Sequence, residues 1–431
     1  MFYKEINTTQ TSIGNLPKDW KVVLLRDIAQ VKGGKRLPKG EKLVDYKTGF
    51  PYIRVVDFKN GKVDVSSVKY LLPETYKKIK NYTISSDDVY ISIAGTVGLA
   101  GLIPPELDGA NLTENAAKLC GLREVRKEFL SYLLNSRFLR KQIIRLMGKG
   151  TQPKLALFRI GSLKLPLPPL QEQERIAQVL GVVDSAIELV DKVIWKTERL
   201  KKGLMQTLLT RGIGHKEYKQ TPIGTIPKEW EVVNLEEVIE VVSGQYFKFS
   251  EFVNDGVRCL KIDNVGYGEV VWKTATFLPT DYLRKFPKLV LKEGDIVMAL
   301  NRPIIDNKVK VGMLQKGDSP SILYQRVGKI VIKDATKLNR RFLFFMLRGE
   351  HFKQQLGRSL IGTDQPYVRT PVLLRIKIPL PPVSEQQRIA EILSYADRKL
   401  GLERLEKDRL ERTKRGLMDL LLTGKIRVKV D

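Results

Sequence analysis

The 431-residue sequence is poor in the side chains that most often build catalytic or metal sites: it has two cysteines and two histidines. Cys120 and Cys259 are 139 residues apart, which leaves neither a disulfide framework nor a cysteine-rich zinc site. With only His215 and His351 beside them, no zinc-ligand spacing exists and acid–base capacity near neutral pH is small. No apolar run approaches the roughly 20 residues of a membrane span, and the opening MFYKEINTTQ lacks the apolar core of a secretory leader. A cytoplasmic chain is expected. Negative charge is scarce too: 48 Asp+Glu face 75 Lys+Arg, a net +27. That excess points to a polyanionic partner, nucleic acid ahead of an anionic membrane. Hydrophobic content of 42% and charged content of 29% are ordinary for globular chains, so the length implies about two to four domains with sizeable cores.

What the sequence does have is a second copy of its own frame. LPLPPLQEQERIA at 165–177 returns as IPLPPVSEQQRIA at 378–390, with nine of thirteen positions identical. IGNLPKDWKVV (13–23) returns as IGTIPKEWEVV (223–233), and GLMQTLLT (203–210) as GLMDLLLT (416–423). Three blocks in one order at offsets of 210 and 213 residues are the mark of a whole-chain duplication. Between the first and second blocks the copies have diverged almost beyond recognition. The frame is duplicated and its contents are individual.

The interiors keep a faint common pattern. GFPYIRVVDFKNGKV (49–63) and GVRCLKIDNVGYGEV (256–270) read as a strand and hairpin, while SSDDVYISI (85–93) and KEGDIVMAL (292–300) read as an acidic turn feeding a second alternating strand. Residues 126–147 and 339–357 carry helical spacing. Each interior is therefore a mixed α/β (α+β) domain of roughly 150 residues. After each proline stretch come heptad series. In the first copy they run Ile176, Val183, Val190, Thr197, Leu204 beside Leu180, Ile187, Ile194, Lys201, Leu208. In the second they run Ile389, Ala396, Glu403, Leu410, Leu417 beside Leu393, Leu400, Lys407, Lys414, Leu421. These predict two long helices forming an antiparallel coiled coil whose seam is the apolar members of the series, interrupted midway by Thr197, Lys201, Glu403, Lys407 and Lys414. The prolines disfavour helix before them. Ser384 with Gln387 reads as a capping box and Gln171 as a weaker cap. Gly212 and Gly424 suit the left-handed residue after a helix end, and Gly203 with Gly416 suggest a close helix crossing. The boundaries follow: a first domain over 1–169, a helix over 170–211, a second domain over 212–382, a helix over 383–424 and a tail over 425–431. A helix over 171–209 spans roughly 58 Å, long enough to hold two DNA readers one to one-and-a-half duplex turns apart.

On these residues the sequence resembles the specificity subunits of type I restriction–modification enzymes. The resemblance is carried by the PLPP runs at 166–169 and 379–382, each behind an aliphatic residue (Leu165, Ile378). It is carried also by the EQxRIA runs at 172–177 and 385–390, the NLPKDW and TIPKEW openings and the Gly-Leu-Met helix tails. It implies two target-recognition domains, each reading half of a split, asymmetric double-stranded DNA site, with a helical pair between them as spacer. It also implies two methyltransferase subunits that hold S-adenosylmethionine, restriction subunits in the full complex, and no cofactor in this chain.

Motifs for chemistry are missing. GRSLIGTD (357–364) has the glycine spacing of a phosphate loop but no lysine. There is no strand followed by G-x-G-x-x-G and no Asn-Pro-Pro-aromatic motif of adenine methyltransferases, so a catalytic methyltransferase or nuclease is disfavoured. Asp57 and Asp87-Asp88 read as turn formers. A stand-alone two-headed DNA-binding regulator remains the alternative to a subunit. DNA contacts call for Arg, Lys, Asn, Gln and backbone-exposing glycine. In the first copy VKGGKRLPKG (31–40) offers Lys32, Gly33, Gly34, Lys35, Arg36 and Lys39; AGTVG (94–98) offers Thr96; GKGTQPK (148–154) offers Lys149, Thr151 and Gln152. In the second, VSGQYFKFS (242–250) offers Gln245, Tyr246 and Lys248; ALNRPIIDNK (299–308) offers Arg302, Asn307 and Lys308; IGTDQPY (361–367) offers Thr363 and Gln365. Trp20 and Trp230 read as plugs at the domain bases.

Overall fold

The structure, a computed structural model, describes residues 2–148 and 153–429. It divides into two compact units, one made of Met1–Asp191 with Leu405–Asp431 and one of Lys192–Arg404.

In the first unit, a four-stranded antiparallel sheet runs Ala100–Leu102, Val89–Ser92, Ala116–Cys120, Gln30–Gly33. A second sheet runs Thr83–Ile84, Ala110–Leu112, Pro51–Ile53, Lys69–Tyr70, with its two central strands parallel. The second unit repeats both sheets in the same order. Val311–Met313, Ile296–Ala299, Val327–Ile332 and Ile239–Ser243 form the antiparallel one. Phe277–Leu278, Val257–Leu260, Ser321–Leu323 and Val290–Leu291 form the mixed one. The strands Val89–Ser92 and Ile296–Ala299, the second alternating strands of the sequence pattern, are buried at every position. Their alternation is nonetheless real. Val89 and Ile91 enter the core beneath the helices, and Tyr90 enters the core of the mixed sheet; Ile296 and Met298 part from Val297 in the same way. Both faces are apolar because both are covered.

The repeated blocks meet in space. Lys21–Leu24 pairs antiparallel with Lys164–Leu167, and Glu231–Asn234 with Lys377–Leu380, so the stretch after each tryptophan is the strand partner of each proline run. Two-stranded edges accept Pro166 and Pro379, which have no N–H to donate. The runs 126–147 and 339–357 each break into two helices, Lys127–Leu134 with Arg137–Leu146 and Arg340–Met346 with Glu350–Arg358. In the first pair Ser136 restarts the chain as an N-cap, its hydroxyl accepting from Leu139 N at 3.2 Å.

The long helices span Leu170–Arg211 and Val383–Leu421. The capping-box reading of Ser384 is corrected: the helix already begins at Val383, with Pro382 O accepting from Gln386 N. The first helix likewise begins at Leu170, before Gln171, with Pro169 O accepting from Gln173 N. Gly212 and Gly424 stand at φ +65° and +69°, the left-handed region that ends helices. The close-crossing reading of Gly203 and Gly416 is also corrected: both are exposed, and a Cβ on either would meet nothing within 4 Å.

Within each unit the helix segments pack antiparallel, and each polar residue that interrupts the heptads finds a partner. In the first unit Lys414 pairs with Asp184 at 2.5 Å and Lys407 with Asp191 at 2.6 Å. In the second, Lys201 pairs with Asp397, and Thr197 donates to Glu403 at 3.1 Å. Asp184 and Asp397 occupy the same repeat position, as do Lys201 and Lys414. The domain reaches the same carboxylates: Tyr132 OH donates to Asp184 at 2.7 Å, and Arg348 pairs with Asp397 at 3.5 Å. Burial, with Arg348 close by, draws the Lys201 ammonium below its ordinary value. None of the seam positions is exposed. Ile176, Leu180, Ile187, Leu208, Ile389, Leu393, Ala396, Leu400 and Leu421 are buried. Val183, Val190, Ile194, Leu204, Leu410 and Leu417 are half-buried. The seam ends are continuous with the domain cores: Ile176, Leu180 and Leu421 join the first, Leu208, Ile389 and Leu393 the second.

Candidate nucleic-acid interface

The repeated Glu-Gln of each helix start has a structural duty. Gln173 Nε2 donates to Pro168 O and Glu124 O while its Oε1 accepts from Arg126 N; Gln386 does the same with Pro381 O, Lys337 O and Asn339 N. Glu172 accepts from the Trp20 indole at 3.1 Å, and Glu385 from Trp230 at 2.9 Å. The knots differ in their remaining partners. Glu172 takes Arg427, which also meets Asp19 and Glu5, and these carboxylates, Glu172 foremost, push the guanidinium pKa further up. Glu385 takes His215 and the amide of Ile213. Trp20 and Trp230 are therefore buried anchors of the domain base, and exposed polar side chains gather on the loops at the sheet ends.

There, backbone hydrogen bonds tie the loops into one rim in each unit. In the second unit Gln245 O accepts from Gln325 N, Arg326 O from Leu300 N, and Pro366 O from Arg302 N at 2.6 Å. Gln245, Tyr246, Arg302, Thr363 and Gln365 are thus brought to neighbouring loops, all of them exposed. Arg326, exposed at φ +66°, lies between them. In the first unit Gly34 N donates to Ala116 O, Lys35 N to Leu112 O, and Ile93 N to Asn115 O; Leu155 N donates to Ile93 O. The rim there carries Lys35, Arg36 and Thr96, again exposed. Arg36 Nε is held by Glu114 Oε1 at 2.8 Å, which raises its pKa and keeps the fork aimed. Lys35 Nζ lies 5.3 Å over the Tyr82 ring.

Other candidates fall elsewhere. Gly34 is corrected as a phosphate cradle: its amide bonds Ala116 O, and a Cβ there would stand 2.1 Å from Thr113 O. A Cβ on its counterpart Gly244 would stand 2.0 Å from Tyr324 O, so both glycines permit a backbone crossing inside the domain. Gly33 abuts Leu157. Lys32 is exposed within the strand Gln30–Gly33 opposite Lys118, and Lys39 is exposed farther along its loop. Asn307 and Lys308 belong to the hairpin Ile304–Ile305/Lys308–Val309, whose turn residues Asp306 and Asn307 both have positive φ. That hairpin leans on Tyr267 and Lys353. Lys248 is exposed beside Tyr246. Lys149, Thr151 and Gln152 lie outside the described residues.

The rims contain residues that sequence reasoning passed over: Glu114 and Asn115 in one copy, Gln325 and Arg326 in the other. A signal for them exists. Leu112 and Lys118 of NLTENAAK (111–118) recur as Leu323 and Lys329 of ILYQRVGK (322–329), bracketing these divergent positions. Among the described residues no cluster of His, Cys, Asp or Glu is placed to hold a metal, and no helix is long and apolar enough to cross a membrane.

Comparison with known proteins agrees with the duplicated frame. The family described as type I restriction modification DNA specificity domain matches twice, over residues 17–198 and 227–412. The chain is 43% identical to the type I restriction enzyme MjaVIII specificity subunit of Methanocaldococcus jannaschii, covering 99% of this chain and 98% of that one. It is 30% identical, at the same coverages, to the putative MjaX specificity subunit of that organism. Its fold is similar to the crystal structure of the type I restriction–modification S subunit from M. genitalium, with a TM-score of 0.56, 16% identity, and coverage of 95% and 96%. The chain belongs to the type I restriction–modification DNA specificity family.

Proposed function

We propose that this chain is the non-catalytic DNA-reading subunit of a type I restriction–modification assembly. Each repeat reads one half of a split, asymmetric site, and the long helices set the spacing and dock two methyltransferase subunits. Those partners supply S-adenosylmethionine and the methyl-transfer site, and restriction subunits complete the cleaving complex. One observation carries the reading: the two rims share a backbone hydrogen-bond plan but differ in side chains. Lys35, Arg36, Glu114 and Asn115 in one face Gln245, Tyr246, Gln325 and Arg326 in the other. A conserved frame with individual tips is what two dissimilar half-sites require, because base edges are told apart by the donors and acceptors that meet them. The net charge of +27 supplies the sequence-independent part of the attraction.

The test is to map methylated adenines in DNA from cells expressing this chain with its methyltransferase partners. Two short specified blocks separated by unspecified base pairs are expected, and swapping residues of one rim is expected to change one block only. A single continuous block would overturn the proposal. Specific, tight binding by the isolated chain, with no methyltransferase recovered with it, would favour a stand-alone regulator.

A further inference from the structure

We infer that the second repeat carries an aromatic stacking element, Phe249 with Tyr246, that packs against a base in the DNA half-site it reads. The inference rests on the DNA-reading role proposed above and names one means by which that half-site is engaged. Phe249 is 92% exposed and Tyr246 57%, with Val253 exposed a few residues on. Single exposed apolar residues are ordinary on a protein surface. This group is different in its position, its stiffness and its charge.

Its position is set by Gln245, whose carbonyl is bound into the rim through Gln325 N and which bridges to Tyr324. Tyr246 leans on the Tyr324 ring at 6.3 Å, and the Phe252 ring meets Tyr324 edge-on at 6.0 Å, so the exposed Tyr246 ring stands on an aromatic base. Stiffness comes from Glu251. Its carboxylate accepts from Lys248 N and from Tyr282 OH, closing the single turn Phe249–Glu251 onto the domain. Phe249 is thus presented to solvent by a fixed turn. The flanking charge is cationic: Lys248 is exposed, and Lys261 Nζ lies 4.3 Å over the Phe252 ring. A flat apolar face bordered by ammonium groups matches a nucleobase attached to its phosphates, and aromatic side chains serve nucleic-acid binding by stacking or by wedging between base steps. The corresponding loop of the first repeat, Lys35-Arg36-Leu37-Pro38-Lys39, has no aromatic residue, which confines the effect to one half-site.

The experiment uses the complex of this chain with its methyltransferase partners on duplexes containing the mapped site. 2-Aminopurine replaces each adenine in turn except the methylated ones, and thymines are probed with permanganate. The expected result is a local signal of unstacking in the half-site read by the second repeat, lost in Phe249→Ala and kept in Phe249→Trp. Phe249→Ala is also expected to weaken specific binding roughly ten-fold with no change in the slope of affinity against salt, because no phosphate contact is removed. Unchanged affinity and signal in Phe249→Ala would overturn the inference. Weaker assembly with the methyltransferase in the absence of DNA would overturn it too, assigning the patch to a protein contact. Failure of the unaltered complex to bind any site specifically would remove the DNA-reading role itself, and the stacking role with it.

Discussion

The indole N–H of Trp230 donates to the carboxylate of Glu385 at 2.9 Å, and the same carboxylate receives the ring of His215 and the amide of Ile213. Two segments meet on that acid, itself the Glu of the repeated EQ at the helix start: the KEW opening and the chain just past the first helix, which begins with Gly212. A Cβ on Gly212 would lie 2.4 Å from Glu385 Oε1. Glu385→Ala leaves an indole and a backbone amide without their acceptor. The expected loss of stability is about 2–4 kcal/mol, since each buried donor left unpaired costs about 1–3 kcal/mol. Chemical denaturation of the variant beside Glu385→Gln, which keeps one acceptor oxygen and is expected to lose less, checks this.

The cross-helix ion pairs predict an asymmetry between single and double changes. Asp397→Ala strands Lys201 and Arg348, both largely buried, and is expected to cost about 3 kcal/mol or more. Replacing Lys201 and Asp397 together by Met and Leu still strands Arg348, so the triple change with Arg348→Met is the one expected to recover most of the loss. Denaturation midpoints of the three variants decide it. Recovery in the double variant would show that Arg348 contributes little to holding Asp397.

These two clusters mark what was legible in the sequence. The duplication, the long helices and their antiparallel sense followed from repeats and heptads, because those are local periodicities that packing must obey. The polar interruptions at Thr197, Lys201, Glu403, Lys407 and Lys414 read as flaws in a seam; Thr197 and Glu403 partner each other, while the partners of the lysines, Asp184, Asp191 and Asp397, sit off the heptad series and become visible only when helices are set side by side. The break at Asn135-Ser136 was hidden because apolar spacing continues through it while the Ser136 cap acts locally. In the loops, candidates were chosen by residue type, and Arg302 and Gln365 did reach one rim. Asn307 and Lys308 sit on a hairpin packed against Tyr267 and Lys353, which residue type alone could not show. Glu114 and Arg326 were passed over because which loops meet is a property of the sheet order.

The two pairs of equivalent glycines are expected to respond in opposite directions. Gly34→Ala and Gly244→Ala each drive a Cβ into backbone oxygen, at 2.1 Å and 2.0 Å, and are expected to destabilise by about 1–3 kcal/mol. Gly203→Ala and Gly416→Ala meet open space on exposed helix faces and are expected to stabilise by about 0.5–1 kcal/mol each. Thermal unfolding of the four variants measures both signs.

The rims predict separable effects on recognition. On the proposed reading Arg36, held by Glu114 at 2.8 Å, belongs to the reader of the first half-site, so Arg36→Ala is expected to lose about 1–3 kcal/mol there and nothing in the second. Gln245→Ala is expected to relax the second half-site alone. Affinities for duplexes with either half randomised provide the measurement, and equal effects on both halves would contradict one reader per repeat.

The spacer role makes the most demanding prediction. Seven residues inserted between Asp191 and Lys192, matched by seven between Arg404 and Leu405, fall where the two compact units divide and leave each one's internal pairs intact. A heptad preserves the seam, since seven residues advance a helix by nearly two whole turns, and it lengthens each helix by about 10 Å. At 3.4 Å per base pair that is about three base pairs. The methylation map is expected to show both half-sites unchanged with the unspecified gap widened by about that amount. An insertion of two residues at the same points turns each helix by about 200°, which breaks the continuity of the seam across the insertion, and is expected to abolish methylation. A functional heptad variant with its original gap would mean that the helices hold the domains without measuring the DNA between them.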